Sequence, residues 1–199
     1  MKIGILGGTF DPPHIGHLIL ASEALDQLSL GQVLWVLTPY PPHKTQQKIT
    51  PLAHRQRMVE LAIEDNPGFE LSRVDIDRPT PHFAVDTMKI LRKQAPGVEY
   101  HYLMGLDSLN DLPAWHTPVE FVRSCDQIVV MLRHGESIDI PRLAAKIPNL
   151  EEKLTFLRTP VMDISGSDIR SRVASGKPFQ YFVPEKIFRY IHENHLYLD

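Results

Sequence analysis

A short apolar run that ends at two glycines constrains the fold of this chain more than any other feature. Ile3, Ile5 and Leu6 are apolar, and the run stops at Gly7–Gly8, as a buried strand does where it enters a tight turn. From His17 to Leu28 the apolar residues are spaced as one face of a helix. The N-terminal stretch therefore predicts a strand, a glycine turn, a loop and a helix.

The predicted turn between this strand and this helix is suited to an anion. Paired glycines let backbone N–H groups approach a ligand without interference from a Cβ, and a helix N-terminus carries partial positive charge. His14 and His17 stand three residues apart at the helix start, where both imidazoles can donate to the same oxygens. We expect a phosphate site here, with His14 and His17 as its donors.

Other kinds of site fit this stretch less well. A Walker A loop needs a lysine and a hydroxyl residue directly after its last glycine, and neither follows here. The dinucleotide-binding fingerprint needs a different glycine spacing and an acidic residue after the second strand, which here ends in Thr38-Pro39. Two histidines are too few ligands for a metal site, so no metal-binding residue is predicted. A plain turn with two solvated histidines is the remaining alternative.

The rest of the chain alternates apolar, β-branched runs with amphipathic segments, which predicts an α/β fold: a Rossmann-like parallel sheet with helices on both faces and a small C-terminal helical appendage. We expect one domain over residues 1–199, with a core at 1–160 and a helical part at 161–199. Arg55 and Arg57 are expected to be solvated, and Arg73–Pro81 to be extended.

The strands predicted after the first one are Gln32–Thr38, Phe69–Ser72, Glu99–Gly105, Gln127–Arg133 and Lys153–Leu157. The helices predicted after the first one are Leu52–Ile63, Phe83–Gln94, Pro141–Ile147, one that opens at Ile164–Arg172, and Val183–His195.

The composition excludes several classes of protein. With 43% hydrophobic and 23% charged residues, the 199-residue chain resembles an ordinary globular protein, and no apolar stretch approaches the length of a membrane span. A net charge of −3 argues against binding to bulk nucleic acid, which needs a basic face. The single cysteine rules out an internal disulfide framework, and the N-terminus does not look like a signal peptide. A cytoplasmic location is expected.

Four motifs carry a resemblance to a known family. GGTFDPPHIGH, residues 7–17, resembles the signature of the HxGH nucleotidyltransferase superfamily, whose members transfer a nucleoside monophosphate from a triphosphate and release pyrophosphate. PPHK at 41–44, LMGLDSLNDLPAWH at 103–116 and ISGSDIR at 164–170 are similar to motifs of the bacterial nicotinate-nucleotide adenylyltransferases. The resemblance covers essentially the full chain.

The spacing and the resemblance together assign the site residues. Ser167 and Arg170 share one face of a helix start, which suits a phosphate clamp, and the strand Gln127–Arg133 delivers Arg133 to the same sheet edge. The Asp107 carboxylate can accept hydrogen bonds from ribose hydroxyls, or it can cap a turn; the resemblance favours a contact with ATP.

The predicted catalytic residues are His14, His17 and Arg170. The predicted ATP-binding residues are Gly7, Gly8, Thr9, Phe10, Gly16, Gly105, Asp107, Arg133, Ile164, Ser165 and Ser167. The predicted mononucleotide-binding residues are His43, Lys44, Phe83, Ala84 and Trp115.

Two positions depart from the family pattern. Relatives usually read serine-tyrosine-threonine before an aspartate-threonine pair, whereas this chain has His82-Phe83-Ala84 before Val85 and Asp86-Thr87. We expect backbone N–H groups at Phe83 and Ala84, rather than side-chain hydroxyls, to receive the pyridine carboxylate. Gly166 stands where serine is common, so one hydroxyl contact is expected to be missing.

The resemblance implies that nicotinate mononucleotide and ATP give nicotinate adenine dinucleotide and pyrophosphate, a step of NAD biosynthesis. Direct in-line attack is expected because the site offers no convincing covalent nucleophile. Mg²⁺ is expected to enter with ATP and to bridge phosphates mostly through water. Another HxGH adenylyl- or cytidylyltransferase with a different acceptor, or a non-catalytic nucleotide sensor, remains the alternative, and the sequence leaves the oligomeric state open.

Overall fold

The computed structural model describes residues 1–41, 48–132, 138–160 and 163–198. Within these ranges the strands form one sheet, and every pair of neighbouring strands is parallel. The strand order is β3-β2-β1-β4-β5-β6, with β1 at Lys2–Gly8, β2 at Gln32–Leu37, β3 at Phe69–Ser72, β4 at Glu99–Gly105, β5 at Gln127–Met131 and β6 at Leu154–Leu157. The predicted Rossmann-like sheet is confirmed.

Side chains alternate between the two faces of the sheet, and each face is covered by helices. Leu34 and Val36 of β2 belong to the hydrophobic cluster under the helices at 84–94 and 118–124, whereas Val33 and Trp35 belong to the cluster under the helices at 15–27 and 52–63. The described helices are α1 Ile15–Gln27, α2 Leu52–Ile63, α3 Ala84–Gln94, α4 Leu106–Asp111, α5 Pro118–Ser124, α6 Ile140–Lys146, α7 Leu150–Lys153, α8 Gly166–Ala174 and α9 Glu185–Glu193. Helices on both faces, as predicted, explain why the central strands are mainly apolar.

The strand order reverses direction between β1 and β4. The chain moves outward from β1 through β2 to β3, and then returns to place β4 on the other side of β1. In open parallel sheets such a reversal leaves a crevice outside the carboxyl ends of the two strands. Gly8 at the end of β1 and Gly105 at the end of β4 therefore mark the entrance to the candidate site.

The C-terminal helices pack against α2. Met58 of α2 shares a hydrophobic cluster with Ile169 and Val173 of α8 and with Ile187 and Ile191 of α9. The predicted helical appendage is therefore in contact with the sheet domain through α2. The assignment of residues 1–199 to a single domain stays a prediction that this shared cluster favours.

The structure differs from the sequence prediction in several local features, and the short helices α5 and α7 were not predicted. A short helix, α4, follows β4 directly, where only a turn was expected. The segment Arg73–Pro81 is not extended throughout, because it contains a turn in which the Asp77 N–H donates to the Arg73 carbonyl oxygen. Arg55 was expected in solvent, yet only 2% of it is exposed. Its partners in the interior explain this difference, as described below.

Candidate active site

The loop after β1 is shaped by close contacts at its two glycines. A Cβ on Gly7 would lie 2.5 Å from the Tyr102 hydroxyl, and one on Gly8 would lie 3.0 Å from the Phe10 ring. Phe10 itself has a φ of 48°, in the left-handed region that a bulky side chain rarely adopts. The buried Phe10 ring turns the chain sharply here, so that the backbone from Gly7 to Thr9 borders the cleft.

His14 and His17 come together at the start of α1. His14 is the extended residue that precedes the helix, and its N–H donates to Nδ1 of His17 over 3.2 Å. Because Nδ1 accepts this bond, the proton of a neutral His17 ring is on Nε2. The two rings stack with centroids 3.7 Å apart. A Cβ on Gly16 would lie 3.1 Å from Nδ1 of His14, which explains the glycine between the histidines.

The start of α8 faces this loop from the C-terminal part of the chain. Ser165 is the N-cap of α8, and its hydroxyl accepts from the Asp168 N–H over 3.1 Å. Nη1 of Arg170 donates to the Asp11 carbonyl oxygen over 2.6 Å. A Cβ on Gly166 would lie 2.9 Å from the same carbonyl oxygen. The close approach of the loop therefore explains the glycine at position 166.

The Asp11 carboxylate joins three separate segments of the chain. Its Oδ1 accepts from the Tyr197 hydroxyl over 2.8 Å, and its Oδ2 accepts from the Thr50 N–H over 3.2 Å. Burial, and after it the Asp11 charge, raises the pKa of Tyr197. The C-terminal residues are thereby attached to the loop that carries the two histidines.

Arg55 is an important residue that the sequence reasoning missed. Its guanidinium donates to four backbone carbonyl oxygens, those of Thr50, Thr9, Thr38 and Pro39, at 2.7 to 2.9 Å. Burial lowers the pKa of Arg55, and the Asp11 charge opposes that effect. Arg55 thus connects the segment that follows β1 to the segment that follows β2. No local signal distinguishes it from Arg57, because its partners are distant in sequence.

A cleft of about 1450 Å³ lies outside the carboxyl ends of β1 and β4. This volume exceeds the range of roughly 300–1,000 Å³ that is usual for a single small-molecule site, so it can accept two nucleotide-sized ligands. Sixteen of the predicted site residues line it: Gly7, Gly8, Thr9, Phe10, His14, Gly16, His17, Phe83, Ala84, Gly105, Asp107, Trp115, Ile164, Ser165, Ser167 and Arg170. The lining also includes residues that were not predicted, among them Lys48, Asp75, His82, Thr87 and His116.

Aromatic rings line the part of the cleft next to α3. Trp115 is half-buried and packs edge-on against Tyr102, with ring centroids 6.2 Å apart. Phe83, the residue before α3, stacks on His116 with centroids 4.0 Å apart. Ala84 is the first residue of α3, so its backbone N–H is one of those that a helix leaves without an internal acceptor. Asp107 lies in the first turn of α4.

Three predicted site residues, His43, Lys44 and Arg133, lie outside the described residues. In the described part of the chain, no group of three His, Cys, Asp or Glu side chains stands close enough together to hold a metal ion. Among the same residues, no helix is long and apolar enough to cross a membrane.

Comparisons with known proteins agree with this geometry. Residues 5–172 match the family described as cytidylyltransferase-like. The chain is 41% identical to a probable nicotinate-nucleotide adenylyltransferase of Thermomicrobium roseum, over 98% of this chain and 91% of that protein. It is 43% identical to one from Roseiflexus sp. strain RS-1, over 98% of this chain and 97% of that protein.

A solved structure shows the same fold at low sequence identity. Nicotinic acid mononucleotide adenylyltransferase of Plasmodium falciparum, in complex with NaAD, superposes with a TM-score of 0.81 at 19% identity. The match covers 98% of this chain and 97% of that one, so the C-terminal helices are included as well as the sheet.

Proposed function

Because this chain belongs to the bacterial nicotinate-nucleotide adenylyltransferases of the cytidylyltransferase-like family, we propose that it joins nicotinate mononucleotide to the adenylyl group of ATP. The products are nicotinate adenine dinucleotide and pyrophosphate, and the reaction belongs to NAD biosynthesis. The observation that carries this proposal is one cleft that holds a phosphate-type loop with stacked histidines at one end and an aromatic wall beside a helix start at the other.

Catalysis consists of positioning and charge neutralisation. A phosphate oxygen of the mononucleotide attacks the α-phosphorus of ATP, the bond to the bridging oxygen breaks, and pyrophosphate leaves with that electron pair. His14 and His17 donate to the α- and β-phosphate oxygens, where negative charge grows in the transition state. Arg170, beside the loop that ends β1, is expected to neutralise the leaving pyrophosphate.

The remaining predicted residues divide between the two substrates. On the ATP side we propose the backbone from Gly7 to Phe10 with Gly16, and Asp107 at the start of α4 for the ribose. The further ATP-side residues are Gly105, Arg133, Ile164, Ser165 and Ser167. Trp115 stacks on the pyridine ring, and the N–H groups of Phe83 and Ala84 receive its carboxylate. His43 and Lys44 serve the mononucleotide.

Mg²⁺ enters with ATP as part of the substrate and bridges its phosphates mostly through water, since Mg²⁺ is rarely held by an all-protein cage. A cytoplasmic location is proposed from the single cysteine. ATP and nicotinate mononucleotide are the proposed partners.

An acceptor panel tests the function. The protein is incubated with ATP, Mg²⁺ and one acceptor at a time (nicotinate mononucleotide, nicotinamide mononucleotide or pantetheine phosphate), and pyrophosphate release is measured. We expect release with nicotinate mononucleotide above all others. Release only with a different acceptor would assign another reaction to the same fold. Tight binding of both substrates without any pyrophosphate would indicate a nucleotide sensor.

A further inference from the structure

A buried ion pair lies beside the start of α3. Nε of Arg78 donates to Oδ1 of Asp75 over 2.9 Å, and the Thr87 hydroxyl donates to the same oxygen over 2.7 Å. Asp75 and Thr87 are each 3% exposed and border the cleft. Arg78 is not among the described residues that line the cleft, so it reaches the site only through its partners.

The same guanidinium orients the backbone that leads into α3. Nη1 of Arg78 donates to the Pro81 carbonyl oxygen over 2.7 Å, and Nη2 donates to that of Phe83 over 3.2 Å. In a planar trans peptide the N–H points opposite to the C=O. The N–H groups of His82 and Ala84 therefore point away from the guanidinium, and both residues line the cleft.

His82 strengthens this turn in a way that is specific to the chain. Its Nε2 lies 3.3 Å from the Arg78 carbonyl oxygen, and because a carbonyl oxygen only accepts, Nε2 carries the proton of that contact. The histidine that replaces the usual serine of relatives thus closes the turn from Arg78 to His82, and the guanidinium closes the same turn from the other side.

The ion pair also controls a charge at the wall of the cleft. No Asp or Glu occurs in Thr80–Val85, but the fold brings Asp75 beside this segment. An unmasked carboxylate there would repel the carboxylate of a nicotinate ring and would accept a hydrogen bond from the amide of a nicotinamide ring. Arg78 neutralises Asp75 and at the same time orients the Ala84 N–H, which is one of the two donors proposed above for the carboxylate, and the His82 N–H as a further donor.

We propose that Arg78 is a positioning residue that sets the preference for nicotinate over nicotinamide mononucleotide. It does so by masking the Asp75 charge and by holding the N–H groups of His82 and Ala84 away from itself. This inference rests on the proposed adenylyltransferase activity and names the part of the chain that selects the acceptor.

The test measures kcat/KM for both mononucleotides and takes their ratio. This ratio does not change if part of a variant preparation is unfolded, because both values fall by the same factor. Arg78→Gln is expected to lower the nicotinate-to-nicotinamide ratio about tenfold, as the loss of a charge-assisted contact should, while the KM for ATP stays within about twofold. Asp75→Asn is expected to raise the ratio, since it removes the negative charge and keeps an acceptor oxygen. The double variant should have a nicotinate-to-nicotinamide ratio between that of Arg78→Gln and that of the unmodified protein.

Arg73→Gln is the matched control, because Arg73 forms an exposed ion pair with Asp77 in the same segment. Its ratio should equal that of the unmodified protein. An unchanged ratio in Arg78→Gln, or a double variant no better than Arg78→Gln, would overturn the proposal. If Arg78→Gln does not fold, an unchanged ratio in Asp75→Asn overturns it as well. Failure of the unmodified protein to adenylylate either mononucleotide would instead refute the function.

Discussion

The imidazole rings of His14 and His17 stack with their centroids 3.7 Å apart and their planes 28° from parallel. The backbone N–H of His14 also donates to Nδ1 of His17 over 3.2 Å, so a backbone hydrogen bond and a ring contact both join the two residues. The glycine between the two histidines makes this contact possible, since a side chain there would meet the His14 ring. This fixed arrangement supports the proposal that the pair donates to phosphate oxygens.

The first prediction concerns this pair. His17→Ala is expected to lower kcat by about a hundredfold or more, because it removes a preorganised donor to the transition state, and to weaken substrate binding less. Steady-state kinetics with nicotinate mononucleotide and ATP measure both effects. A variant with near-normal kcat and only a raised KM would show that His17 binds substrate without contributing to catalysis.

A second prediction separates the two phosphate-binding cations. Arg170 contacts the loop after β1 and should serve ATP, whereas Lys44 belongs to the segment after β2 and should serve the mononucleotide. Arg170→Ala is therefore expected to raise mainly the KM for ATP, and Lys44→Ala mainly the KM for nicotinate mononucleotide. Arg172→Ala, whose side chain pairs with Asp168, is the control. Reversed or equal effects would contradict this division.

The third prediction concerns the buried Arg55. Arg55→Lys keeps the charge but loses the fork that reaches four carbonyl oxygens, so we expect a loss of about 2–4 kcal/mol in the free energy of unfolding. Urea denaturation measures this loss, and kcat should fall too because Thr9 borders the cleft. Arg57→Lys, at an exposed position two residues after Arg55 in the same helix, should change neither quantity. A fully stable Arg55→Lys protein would show that the four bonds contribute little.

A fourth prediction tests the main-chain donor at the start of α3. Ala84→Pro removes one N–H, and proline fits the first position of a helix because the backbone of Phe83 is already extended. The preference for nicotinate over nicotinamide mononucleotide should fall about tenfold, with thermal stability retained. Ala84→Thr keeps the N–H and should change the preference little. Equal preference in Ala84→Pro and the unmodified protein would exclude this donor.

The fifth prediction concerns acid sensitivity. Burial, and after it the charge of Lys2, lowers the pKa of His101. At a pH at which the unfolded chain already takes up a proton on this residue, His101 of the folded protein therefore stays neutral. The unfolded state then binds more protons below the ordinary histidine value of about 6.5, and stability is lost as the pH falls through this range. Urea midpoints measured across that range should drop less in His101→Leu than in the exposed control His195→Asn. Parallel curves would contradict the assignment.

Local pattern was enough to predict most of the elements. The strand Glu99–Gly105 and the helix Leu52–Ile63 have the predicted bounds. Such bounds depend on the periodicity of apolar residues and on the residues at the element ends, which can be read directly from the sequence. The motif spacing likewise indicated the family and the residues that line the cleft.

These local patterns did not predict contacts between residues that are distant in the sequence. Arg55 was expected in solvent, but the fold places four carbonyl oxygens around its guanidinium. Asp75, for which no role was predicted, borders the cleft in the structure. Likewise, Gly166 is explained only by the Asp11 carbonyl, a residue far away in the chain. The sequence by itself determined the parallel α/β architecture and the chemistry at the ends of the strands, because periodicity and motif spacing are local. Only the tertiary structure decided which buried charges find partners, because hydrogen bonds between distant segments form once the chain has folded.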